Sequence, residues 1–241
     1  MSSVRSLNKL YYITLMLFCI AFTMNCSNKK SEEALNFLNS KYNNSVMKLG
    51  RGNEMEMTVD FSTEKIVDEE DLRILKEIDN ITVLHFCECS ITNKGISYIA
   101  PLKNLRVLTL EHTSLTDEGL QIISKSFPEL ERLIINDTNV TSEGFKYISK
   151  LSKLDYLEIR KTKIDNKAIQ YLSELNNLGY LGLSSTEISD ESIPYLKKFK
   201  KMSVMFILYT QITKEGSIVL QEHYKMTNPK TTIYWDPNTA P

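Results

Sequence analysis

The sequence predicts an α/β solenoid: an arc of about seven stacked strand–turn–helix units, with parallel strands on its concave face and short helices on its convex face. Three observations predict it. Seven segments align on one pattern, from EMTVDFSTEKIVDEEDLRIL at Glu56 through ITVLHFCECSITNKGISYIA at Ile81 to MSVMFILYTQITKEGSIVLQ at Met202. Their fourth residues are Val59, Leu84, Leu108, Leu133, Leu157, Leu181 and Met205, spaced by steps of 25, 24, 25, 24, 24 and 24 residues. Within each unit a stretch of period two gives way, after a turn, to apolar residues at helical spacing, as in Leu120, Ile123 and Phe127. One unit cannot bury its apolar edge alone, and stacking parallel copies closes a continuous core.

In chain order, residues 1–25 read as an export signal: MSSVRSLNK supplies Arg5 and Lys9 and no acid, and Leu10 to Phe22 is an apolar run. That run is short of the ~20 residues a helix needs to span a bilayer. Cys26 follows, ahead of the polar SNKKSEE. The segment TMNCSNKK resembles the bacterial lipoprotein lipobox, which implies acylation of Cys26, cleavage before it, and an exported chain held on the cell membrane or outer membrane. Thr23 and Asn25 depart from the Leu-like and small residues of that motif. A cleaved, released protein and an uncleaved N-terminal anchor therefore stay open as alternatives. Residues 26–52 are expected to form a tether and an N-terminal capping helix, with Ala34, Leu35, Leu38 and Tyr42 at helical spacing. The repeats occupy 53–225, and 226–241 form a C-terminal cap in which Ile233, Tyr234 and Trp235 close the last unit as an edge strand.

Inside the repeats, Thr116, Thr141, Ser189 and Thr213 stand where helix N-caps belong, with Asp117, Glu143 and Asp190 on the first turns. The ninth position of the units holds Cys89, Thr113, Thr138, Thr162, Thr186 and Thr210. A helical column of Tyr98, Ile122, Tyr147, Tyr171 and Tyr195 is expected to pack between adjacent helices. The pattern LxxLxLxxT, continued as TSLTDEGL from Thr113 to Leu120, resembles the leucine-rich repeat, in a bacterial subtype where Thr replaces the usual Asn. The resemblance covers Glu56 to Tyr224. It implies that the ninth-position column turns inward to satisfy backbone groups of the loops, and that the concave face is the part free to bind.

Composition narrows the function. With 29 basic and 30 acidic side chains there is no net field for nucleic acid, so no nucleic-acid partner is expected. The eight glycines form no phosphate loop, and neither HExxH nor CxxC occurs. Strand alternation places His85, Cys87, Glu111, Asn136, Glu158 and Arg160 toward the polar end of the concave face and Tyr156, Tyr180 and Phe206 toward its aromatic end. Exposed Tyr, Phe and Arg carry binding energy at interfaces, and these nine residues are the candidate site. HFCECS, His85 to Ser90, looks at first like a metal or thiol cluster. Alternation sends Cys89 inward, however, and leaves His85 and Cys87 side by side with no pocket between them. The expected function is a non-enzymatic, membrane-anchored module with no cofactor that binds a protein or other macromolecule. A structural envelope protein without a specific ligand is the alternative, and a metal or thiol site at His85 and Cys87 a remote one.

Overall fold

A computed structural model of the chain describes residues 29–42, 46–51, 54–64 and 66–236. The export-signal segment, Cys26 and the last five residues lie outside them. The described residues open with helix α1 (residues 29–41) and a strand pair, β1 (Val46–Arg51) and β2 (Glu54–Asp60). A 3-10 helix, Glu69–Glu77, follows. Strands then alternate with helices: β3 (Ile81–Cys87), α2 (Asn93–Ile99), β4 (Val107–Glu111), α3 (Asp117–Ser126), β5 (Arg132–Ile134), α4 (Phe145–Ile148), β6 (Tyr156–Glu158) and α5 (Asn166–Leu172). β7 (Tyr180–Gly182), α6 (Ile193–Leu196), β8 (Val204–Phe206), α7 (Lys214–Thr227) and β9 (Thr232–Tyr234) are the last of the described elements.

The nine strands of the described residues form one sheet in sequence order. From β2 to β9 every pairing is parallel, and the fourth residues of the units pair directly, Leu84 with Leu108, Leu133 with Leu157, and Leu181 with Met205. This is the α/β solenoid that the period predicts. Those leucines and the helix residues Leu120, Ile123, Ile169 and Leu196 are fully buried in one core running the length of the arc.

One strand was not expected. β1 falls within residues assigned to the tether and runs antiparallel to β2, with Arg51 opposite Glu54. The two-residue Gly-Asn segment between them is a hairpin signal in the sequence that stands outside the repeat. The far end is closed by β9 on β8, with Ile233 packed on the core and the Trp235 indole donating to the Ile212 carbonyl at 3.1 Å.

Two polar columns hold the units together. The hydroxyls of Thr113, Thr138, Thr162, Thr186 and Thr210 each donate to the carbonyl three residues back, at 2.6–2.9 Å. The residue before each of them, from His112 to Tyr209, sits at positive φ, so the hydroxyl restrains a left-handed turn in every unit. On the convex side the expected caps behave differently. Thr116, Thr141 and Ser189 occupy N-cap positions but make no side-chain cap bond. They bond the preceding unit instead. Asn93 receives Thr116 N and donates to its hydroxyl, Asp117 accepts from Thr141 N (2.8 Å) and its hydroxyl (2.6 Å), and Asn166 pairs likewise with Ser189. Asp190 repeats this with Thr213, which alone of the four also caps its own helix. The acids placed on the first turns therefore bond from unit to unit. Gly144 exists to let one of them through: a Cβ there would lie 2.5 Å from Asp117 Oδ1 and 2.7 Å from Leu120 Cδ1.

Candidate functional site

Parallel pairing brings the concave residues into register as straight rows. One row is Val83, Val107, Arg132, Tyr156, Tyr180, Val204 and Thr232; the next is Asp60, His85, Thr109, Ile134, Glu158, Gly182, Phe206 and Tyr234. Neighbouring strands stand about 4.8 Å apart, which is near ring-stacking distance. Tyr156 and Tyr180 accordingly stack at 3.9 Å and 9°. Phe206 meets Tyr180 tilted at 5.7 Å and stacks on Tyr234 at 4.2 Å and 4°. At the other end the Arg132 guanidinium lies 5.1 Å from the centre of the Tyr156 ring. The result is an unbroken ladder from Arg132 to Tyr234 across five strands, β5 to β9.

Glu158 fixes this ladder from below. Tyr156 and Tyr180 both donate their hydroxyls to its Oε1, at 2.8 and 2.7 Å. Asn136 Nδ2 and the Arg160 guanidinium donate to Oε2, at 2.8 and 2.9 Å. Gly182 makes the room, since a Cβ there would sit 3.2 Å from Glu158 Cγ. Burial alone would raise the Glu158 pKa, but the bonds from Asn136, Tyr180 and Tyr156 and the charge of Arg160 outweigh it, and the net shift is downward. The same arrangement raises both tyrosines, Tyr180 far above its usual range, first through burial and then through the carboxylate it bonds. These shifts lead away from proton transfer near neutral pH. The chemistry on offer is recognition by a preorganised surface.

The polar half is arranged more loosely. His85 Nδ1 lies 2.8 Å from Thr109 Oγ1, and burial lowers the His85 pKa although Asp60 opposes it. Cys87, placed on the concave face by alternation, is half-buried, and burial followed by Glu111, Asp60 and Glu88 pushes it up to about 11. Cys89 is buried in the inward column, as alternation requires, and is also pushed up to about 11. A thiol held that far above neutrality is a poor nucleophile. Among the described residues no group of three or more His, Cys, Asp or Glu side chains is placed to hold a metal ion. His112, at the rim, lies 2.9 Å from Asp137.

Of the nine candidate residues, the structure therefore gathers Glu111, Asn136, Tyr156, Glu158, Arg160 and Tyr180 into one hydrogen-bonded group, with Glu111 joined through Asn136 at 3.1 Å. His85 and Cys87 stand apart from it. Two residues need correction as contact surface: Asn136 and Glu158, expected on an open face, are 3% and 6% exposed. They position their neighbours. The sequence reading left out Arg132 and Tyr234. Arg132 already stood in the correct row, whereas Tyr234 was masked by a break in period, 28 residues after Phe206 (234 − 206) instead of 24 or 25.

No family model matches the chain. Protein EEED8.10 of Caenorhabditis elegans, whose name proposes RNA binding, is 30% identical over 102 residues, covering 39% of this chain; the chain spans only 14% of that protein's length. Among solved structures, internalin C2 of Listeria monocytogenes superposes with a TM-score of 0.55 at 16% identity, over 75% of this chain and 80% of that one. A leucine-rich-repeat protein of Leptospira interrogans gives 0.44 at 18% identity, over 68% of this chain and 38% of that one, too loose a match to build on. Period, register and likeness to internalin C2 together make this chain an α/β leucine-rich-repeat solenoid.

Proposed function

We propose that the chain is a non-enzymatic binding module, exported and anchored by lipid on Cys26, that holds a protein partner against the aromatic half of its concave face. The observation that carries this reading is the ladder of Arg132, Tyr156, Tyr180, Phe206 and Tyr234, locked by Glu158. Aromatic rings flanked by arginines are the residue types that dominate binding at interfaces, and rings already held in place lose little entropy when a partner arrives. The Arg160 charge is taken up by Glu158, and Arg132 edges the surface with positive charge, which favours a partner with carboxylates near an apolar or aromatic anchor. The RNA-binding role proposed for the worm protein does not suit this face. A phosphate backbone laid along the arc would meet Asp60 and Glu111, and the chain carries a net charge of −1.

Crosslinking of the full chain in cells, with identification of what is attached, tests the reading. Tyr156→Ala combined with Tyr180→Ala should weaken capture at least tenfold, on the order of 1–2 kcal/mol for each anchor. Lys163→Ala, on the strand-to-helix edge, should not change it. Undiminished capture by the double variant would remove the site. The anchor is tested separately, by a mass shift on Cys26 that Cys26→Ala abolishes.

A further inference from the structure

The near-zero net charge conceals a division between the two edges of the arc. The edge where helices lead into strands carries, over the last two units and the cap, Lys197, Lys198, Lys200, Lys201, Lys225 and Lys230, with Glu174 beside the first three and Glu131 and Asp155 sharing a pocket with Lys201. The opposite edge of the same units carries Glu187, Asp190, Glu191 and Glu215 with Lys214. Complementing a helix C-terminus takes about one cation in the last turn. Lys197, Lys198, Lys200 and Lys201 all lie beyond the end of α6 at Leu196, more charge than that helix requires. Among the described residues none of the six is ion-paired. Three of them, with Asn176 and Thr227, line a cleft of about 490 Å³ against α7.

The chain enters the arc on this same edge. α1 lies across the N-terminal end with Lys30 Nζ 3.9 Å from Glu77, the last residue before the turn into β3. Its other end is tied to the opposite edge, where Lys41 Nζ lies 2.5 Å from Asp71. Cys26 precedes Lys29 by three residues, a reach of at most about 11 Å for an extended chain. Lys29, where the described residues begin, and the lysine cluster therefore lie toward one edge at opposite ends of the arc, some 30 Å apart at about 4.8 Å per strand.

From this we infer that the basic edge docks on an anionic phospholipid surface, held at one end by the acyl chains and at the other by the lysine cluster. The inference rests on the anchor at Cys26. Acyl chains fix the chain to the bilayer at one point only, and a basic patch at the far end of the arc would set its orientation on an anionic surface. Each lysine near an anionic surface strengthens attachment about fivefold. In this orientation the arc stands on its edge. The concave face opens sideways, clear of the bilayer, and the acidic edge points away from it.

The test uses the full acylated chain on vesicles of phosphatidylcholine containing phosphatidylglycerol, in a Cys87→Ser background. A fluorophore is placed on Ser203→Cys, at the basic edge, or on Glu187→Cys, at the acidic edge, and a lipid-borne nitroxide serves as quencher. Quenching should be severalfold stronger at Ser203→Cys. It should fall to the level of Glu187→Cys in pure phosphatidylcholine, in high salt, and in a Lys198→Gln, Lys200→Gln, Lys201→Gln variant, while the protein still sediments with the vesicles. Sedimentation with equal quenching at both edges overturns the docking and leaves the anchor standing. Protein that stays in the supernatant overturns the anchor, and the docking with it. Loss of the Ser203→Cys signal on adding an RNA oligonucleotide at equal phosphate concentration would reassign the edge to nucleic acid and overturn the lipid surface as its partner.

Discussion

The convex and concave faces are both held by polar contacts that pass from one unit to the next, yet they are built on different rules. On the convex side one interaction recurs: an Asp or Asn at the start of one helix bonds the backbone and hydroxyl of the next unit's Thr or Ser, as Asp117 does with Thr141 and Asp190 with Thr213. On the concave side the contacts centre on a single carboxylate, and Asn136, Tyr156, Arg160 and Tyr180 each meet Glu158 in a different way. Repetition spreads stability over many equivalent small terms. Convergence concentrates it in one residue and freezes the surface around it.

The comparison is most exposed at its centre. Glu158→Ala leaves two tyrosine hydroxyls, an amide and a guanidinium without their acceptor, and should cost about 3 kcal/mol in urea unfolding. It should also loosen Tyr156 and Tyr180, weakening partner capture although Glu158 itself is buried. A cost below that of removing one convex contact would show that the network is incidental. On the other face Gly144→Ala drives a methyl into Asp117 and Leu120 and should cost about 2 kcal/mol by overpacking, with partner capture unchanged. The threonine column sharpens the contrast further. Thr138→Val keeps the shape and removes the bond to the Ile135 carbonyl, for an expected loss of about 1 kcal/mol. Near-equal losses for Thr138→Val, Thr162→Val and Thr186→Val would mark the repeated rule; widely unequal ones would break it.

The smallest effect is electrostatic and has a definite sign. The Tyr156 and Tyr180 pKa values are raised in the folded chain, so the stability they contribute is complete below about pH 10, their ordinary value, and is lost as pH rises beyond it. Glu158 is shifted the other way, and its contribution is present above its ordinary 4.5 and lost as pH falls below it. Tyr180→Phe should therefore flatten the alkaline limb of the stability profile, and Glu158→Gln the acid limb. An alkaline limb unchanged in Tyr180→Phe would mean that this hydroxyl is not held by the carboxylate.

Much of the fold was legible because a repeat states the same requirement many times over. The 24- and 25-residue steps fixed the strand register, and alternation from that register placed His85, Glu111, Tyr156, Tyr180 and Phe206 on one side of the sheet and Cys89 on the other. β1 was not legible because it occurs once and pairs antiparallel, outside the repeat. The N-cap positions were legible, but only Thr213 of the four also caps its own helix through its side chain. A cap signal in sequence identifies a hydroxyl at a helix start, and where the preceding unit offers an Asn or Asp the hydroxyl bonds across units instead.

By itself the sequence determined the architecture, the rows and the inward column, because periodicity dictates which way each side chain points. Only the tertiary structure decided that Asn136 and Glu158 sink beneath the tyrosines while Arg132 and Tyr234 extend the ladder at either end. The physical reason lies in reach. Direction follows from backbone alternation, a local property, but which atoms meet depends on side-chain length across neighbouring strands, and on the gap that Gly182 leaves for one carboxylate to lie beside two rings.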